Sequence, residues 1–122
     1  MIEFKKIELE SALLTILVYS APKEGEQQRI VGGLLNENLL LSAKRGLQKI
    51  HKKLIEAYQE LTKDIEELRK ECGEDKEKLE KELKELFNET VKIDAESIKI
   101  SAIEDISTTA NYNFDIIEKI AI

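Results

Sequence analysis

The chain has 122 residues, enough to bury a core without disulfides or a metal, and 36% of them are Asp, Glu, Lys or Arg. Its net charge of −6 argues against steering of the whole body to nucleic acid or to an anionic membrane, and its single cysteine, Cys72, leaves no internal disulfide. No apolar run approaches the roughly 18–20 residues of a membrane span, and the glutamates ahead of the longest run, Ala12 to Tyr19, do not suit a signal peptide, so the expected place is the cytosol.

Ile2 and Phe4 alternate, and Ile7 and Leu9 resume the same period after a slip, which predicts a strand over 1–9 with a bulge. Over 10–20 the spacing of Leu13, Leu14, Leu17 and Val18 favours a helix, against the strand preference of Thr15, Ile16, Val18 and Tyr19. A polar loop follows from Pro22 to Arg29, and Gly32-Gly33 predicts a turn or a short, imperfect helix within 30–38.

The strongest periodicity begins at Ala43. Apolar residues recur at Leu47, Ile50, Leu54, Ala57, Leu61, Ile65, Leu68 and Cys72, close to a heptad seam, so 43–72 is expected as one helix. Such a helix is about 45 Å long and needs something to lie against. Gly73 suits the left-handed position that ends a helix, and Asp75 can cap the next. Leu79, Leu83, Leu86 and Phe87 then give a second helix over 75–88, antiparallel to the first, with Leu54, Leu61, Ile65 and Leu68 facing Leu79, Leu83 and Leu86. Between Glu60 and Glu85, 18 of 26 residues are charged, which fits a solvated coiled-coil hairpin.

Val91 and Ile93 alternate with polar residues, as do Ile98 and Ile100, but the two pairs are out of phase, which predicts a kink near 95–97. This segment, 91–101, is expected to pair with the N-terminal strand. The tail predicts a last helix capped by Ser107 or Thr108, burying Phe114, Ile117 and Ile120, with Glu104-Asp105 as a turn before it. The fold class read from these elements is α+β. A hairpin over 43–88 stands on a base formed by 1–38 and 90–122, in a single domain.

No catalytic or cofactor constellation emerges. His51 is the only histidine and lacks a second ligand, and Cys72 sits among Glu71, Glu74 and Asp75, which disfavour a reactive thiolate. Gly32-Gly33 matches neither a phosphate loop nor a dinucleotide fingerprint. The carboxylates lie on helix faces expected to be solvated, where nothing tunes them for acid–base work. One charge feature stands out: no acidic residue falls between Asn38 and Ile55, and Arg45, Lys49 and Lys52 lie opposite the apolar stripe. With Lys53 they form the candidate interaction face. It lacks interleaved aromatics for base stacking, so a protein partner or self-association is expected rather than nucleic acid.

LLLSAKRGLQKIHKKLIEAY (39–58), ELKELFNETVKIDAESIKISAIEDI (82–106) and FDIIEKIAI (114–122) together resemble a group of small proteins of tailed bacteriophages. That group shares the order of a short apolar segment, a long helix running from basic to acidic, an acidic turn, a second helix, an extended segment and a short last helix. The resemblance implies a phage or prophage origin and no enzyme activity, and it carries over no functional residues. It fits a structural or assembly protein acting through protein contacts in the host cytoplasm or in the virion; a small inhibitor of a host enzyme or defence protein is the alternative.

Overall fold

The computed structural model describes residues 2–19, 25, 30–103, 112 and 114–122. Among them the order is strand β1 (Ile2–Lys5), helix α1 (Leu9–Ile16), strands β2 (Val18–Tyr19) and β3 (Ile30–Gly32), helices α2 (Leu41–Cys72) and α3 (Lys76–Asn88), strand β4 (Thr90–Ile93) and helix α4 (Phe114–Ile120). The fold is α+β, as expected.

The N-terminal strand is shorter than its apolar period suggested. The slip after Lys5 marks the end of β1 rather than a bulge. A 3-10 turn, Lys6–Glu8, follows, fastened where the Lys5 N–H donates to the Glu8 carboxylate at 2.8 Å. Ile7 points to solvent and Leu9 opens α1. Both preferences read over 10–20 are realised in succession. The leucine-rich half is helical through Ile16, and the β-branched and aromatic half gives β2, paired antiparallel with β3. Gly33 and the short 3-10 turn Leu34–Asn36 then lead towards α2. The expected loop over Pro22 to Arg29, the cap at Ser107 or Thr108 and the turn at Glu104-Asp105 all lie outside the described residues, Gly25 excepted.

Helix α2 runs 32 residues, starting two residues before the expected Ala43. Its N-terminal half supplies Leu47, Ile50 and Leu54 to the core, against α1 and the 3-10 turn at Leu34. The turn to α3 is closed by the Asp75 N–H donating to the Cys72 carbonyl at 3.0 Å. Gly73 has φ 55° and ψ −118°, the first central position of a type II′ turn rather than the left-handed helical cap expected. Asp75 caps α3, its carboxylate accepting from the Lys78 N–H at 3.1 Å.

The two helices pack antiparallel, but α3 has only 13 residues and buries none of them fully. Its last turn lies level with Asp64, where Lys6 reaches both Asp64 (3.9 Å) and Glu89 (2.8 Å). Leu54 is about 15 Å further along α2, beyond the reach of α3. It belongs to the base core, not to the hairpin contact assigned to it from the heptads.

β1 pairs antiparallel with β4, Phe4 opposite Val91 and Ile2 opposite Ile93. The expected sheet stops there. The Ala95 N–H turns back to the Ile93 carbonyl (2.9 Å), the kink predicted near 95–97, and the chain beyond it pairs with its own C-terminus instead. Ile98 and Ile100 donate to the carbonyls of Ile120 and Ile122, and the Ile122 N–H donates to the Ile98 carbonyl. α4 packs on α1 and β1 through Ile116, Ile117 and Ile120. Phe114, expected in that stripe, is 66% exposed, because the face that α4 buries is centred on Ile116, Ile117 and Ile120 and, at about 100° per residue, Phe114 lies well round the helix from it. The Tyr112 hydroxyl donates to the Glu37 carboxylate and lies 3.3 Å from the Gly33 carbonyl, tying the final segment to the approach of α2.

Candidate interaction surface

The four basic residues singled out in α2 do not act as one patch. Arg45 and Lys49 are exposed and look into a groove of about 1050 Å3 between α2 and residues 94–101. Lys52 turns the other way. With Lys44 and His51 it rims a groove of about 670 Å3 whose apolar side is made by Leu17, Leu35 and Ile55. Lys53 is drawn into a half-exposed pair with Glu56 at 3.7 Å, worth little in stability.

The walls of the first groove explain Gly46. A Cβ there would meet the Ile98 Cγ2 at 2.7 Å, so glycine lets the 94–101 segment lie close against the helix despite its low helix propensity. That close approach brings Asp94 and Glu96 to the groove that holds Arg45 and Lys49. A phosphate entering would meet carboxylates as well as cations.

His51 is half-buried, and loss of hydration lowers its pKa below the ordinary 6.5, favouring the neutral ring near pH 7. Cys72 is free and buried at the hairpin tip, shielded from solvent. Among the described residues no group of three or more His, Cys, Asp or Glu side chains converges to hold a metal ion, and no helix is long and apolar enough to cross a membrane.

A third groove, of about 300 Å3, was not anticipated. It runs between α2 and α3 over Leu68 and Leu86 and is walled by Asp64, Glu67 and Glu71 from α2, by Glu82 and Glu85 from α3, and by Glu89 just past the end of α3. The signal was present in the sequence. Asp64, Glu67 and Glu71 recur at i, i+3 and i+7 and form a stripe along one face of α2, and Glu82 and Glu85 stand one turn apart on α3. Reading the hairpin as uniformly charged conceals these positions. Asp64 and Glu89 share Lys6, whereas Glu67, Glu71, Glu82 and Glu85 have no cation within ion-pair distance among the described residues.

The surface of α2 is therefore divided along its length, cationic in its first half and anionic, reinforced by α3, in its second. Compared with protein-family models, with curated proteins and with solved structures, the chain shows no match.

Proposed function

We propose that this is a non-enzymatic assembly or structural protein of the phage type, which works through protein–protein contacts made by α2. The observation that carries the reading is the length of α2 beside its partner: 32 residues against 13, with the long helix exposing a cationic half and an anionic half. A helix presenting that much ordered, charged surface suits recognition of another protein surface. The phage attribution rests on the sequence resemblance over 39–58, 82–106 and 114–122. Nucleic acid is disfavoured as a partner by Asp94 and Glu96 beside Arg45 and Lys49, and by the net charge of −6.

Quantitative mass spectrometry of particles and assembly intermediates purified from the source phage tests this. Stoichiometric copies are expected in one or the other, and absence from both would overturn it. The acidic groove favours a second reading, a small inhibitor that offers these carboxylates to a basic cleft on a host enzyme or defence protein. That reading places the protein in the host cytoplasm only, bound to a host protein.

A further inference from the structure

We infer that the groove between β2 and the N-terminal half of α2 takes an acidic amphipathic helix of a protein partner, its apolar face on Leu17, Leu35 and Ile55 and its carboxylates on Lys44 and Lys52. The inference rests on the protein-contact reading above and names the chemistry of the partner.

Lys44, Gln48, His51 and Ile55 stand at i, i+4, i+7 and i+11, so they form one row along α2. The row is about 17 Å long and about 100° round the helix from the core row of Leu47, Ile50 and Leu54. It makes one side of the groove, and Leu17, Tyr19 and Leu35 make the other. Tyr19 stays 51% exposed and Ile55 38%, which makes this an open trough. A small ligand needs a site that buries most of its surface, and an open trough does not supply that. A helix needs cover on one face only, and about three turns of it match the length of the row.

Charge selects the sign of the partner. Lys44 and Lys52 rim the trough about 12 Å apart along the helix axis. Neither has an ion pair among the described residues. His51 lies between them along α2. Its ring, neutral near pH 7, keeps an N–H that can donate to a carboxylate oxygen without adding a third charge. Among the described residues Glu56 is the one carboxylate that lines the trough, and it stands at the end away from Lys44. The net charge of −6 opposes an acidic partner at long range. At physiological salt that opposition is screened beyond about 8 Å, which leaves the contacts at the rim to decide. The exposed part of Tyr19 adds an amphipathic ring of the kind that anchors protein interfaces.

The probe is a synthetic peptide of about 14 residues, about 21 Å long as a helix, stapled on its outer face to hold that shape. It carries leucines at i, i+4, i+7 and i+11, glutamates on both sides of them and alanine elsewhere. NMR titration into the full chain at about 150 mM salt should give a Kd on the order of 10–100 µM, in keeping with a small interface. It should also move the ring-proton signals of His51, the only histidine in the chain. Lys52→Glu should weaken binding at least about tenfold, and Lys49→Glu, the same change of charge beside the other groove, less than about twofold. Both positions are exposed, and unchanged helical circular dichroism checks that both variants fold. The same peptide with lysines for glutamates should leave the His51 signals in place. Unmoved His51 signals at about 1 mM of the acidic peptide would overturn the inference. Equal losses from Lys52→Glu and Lys49→Glu would overturn it too, by reducing the effect to net charge. So would a dimer of the free chain whose His51 signals move on dilution, which puts a second copy in the trough. The protein-contact reading survives each of these results, because it is tested separately by the mass spectrometry of particles.

Discussion

Gly33 and Gly73 both hold positive φ, at 88° and 55°, yet they answer to different constraints. A Cβ on Gly73 meets nothing within 4 Å, so alanine there suffers only the strain of a backbone region that L residues avoid, about 1–3 kcal/mol. A Cβ on Gly33 would fall 2.6 Å from the backbone carbonyl of Ile16 and the amide nitrogen of Leu17, atoms that cannot swing away. Gly33→Ala adds overpacking of about 1–3 kcal/mol to a similar strain, so urea denaturation should show it clearly less stable than Gly73→Ala. Gly46 sets a third case, at ordinary helical φ. Alanine gains about 1 kcal/mol of helix propensity but pushes on Ile98. Gly46→Ala should therefore destabilise the wild-type chain and stabilise an Ile98→Ala background, a reversal of sign that a double-mutant cycle measures directly. Equal effects in the two backgrounds would mean that the helix and the 94–101 segment do not touch there.

At the scale of elements, the unequal lengths of α2 and α3 divide the hairpin energetically. Leu61 is 4% exposed and sits where the hairpin joins the base, so Leu61→Ala should cost about 2–5 kcal/mol. Leu83 is only partly covered by α2, and Leu83→Ala should cost roughly half of that or less, in proportion to the smaller area it removes from water. Thermal melts of the two variants read this order; equal losses would place α3 in the core. The elements that were legible in the sequence are those fixed by local signals: the 4-and-3 spacing of α2, the break at Gly73, the cap at Asp75 and the alternation of β1 and β4. What escaped depends on distant partners. Ile98 and Ile100 alternate like a strand, but nothing local says that their partner is the C-terminus instead of β1. Whether Phe114 or Ile116 joins Ile117 and Ile120 in the core depends on how α4 is rotated against α1 and β1. The candidate face met the same limit. Its basic residues follow from helical spacing, but their separation into two grooves is decided by the 94–101 segment on one side and by Leu17 and Leu35 on the other.

Across the whole molecule, the two ends of the chain are fastened by charge as well as by apolar packing, and this sets how stability follows pH. Lys119 on α4 donates to the Glu8 carboxylate at 2.8 Å, and its ammonium lies 5.7 Å from the centre of the Phe4 ring in β1. Burial of Glu8 acts to raise its pKa, but the hydrogen bonds from Lys119 and the Lys5 N–H, with the charge of Lys119, outweigh it and leave the carboxyl below its ordinary 4.5. His51, on the far side of α2, is lowered from 6.5 by burial alone. In both cases the folded state binds protons less readily than the unfolded one, so stability rises with pH through each window. The His51 contribution is complete above pH 6.5 and is lost as pH falls through its folded value. The Glu8 contribution is complete above pH 4.5 and is lost only in stronger acid, where protonation also releases Lys119 and loosens α4 from β1. The chain should therefore lose stability in two steps on acidification. His51→Gln should remove the step near and below pH 6.5 and leave the other, and Glu8→Gln should do the reverse, starting from a lower plateau because the pair with Lys119 is gone at every pH. Urea midpoints measured at intervals from neutral pH into the acid range separate the two. A Glu8→Gln variant that kept the full acid-limb slope would show that other carboxylates govern it, and that the bridge between the chain ends contributes nothing to its pH dependence.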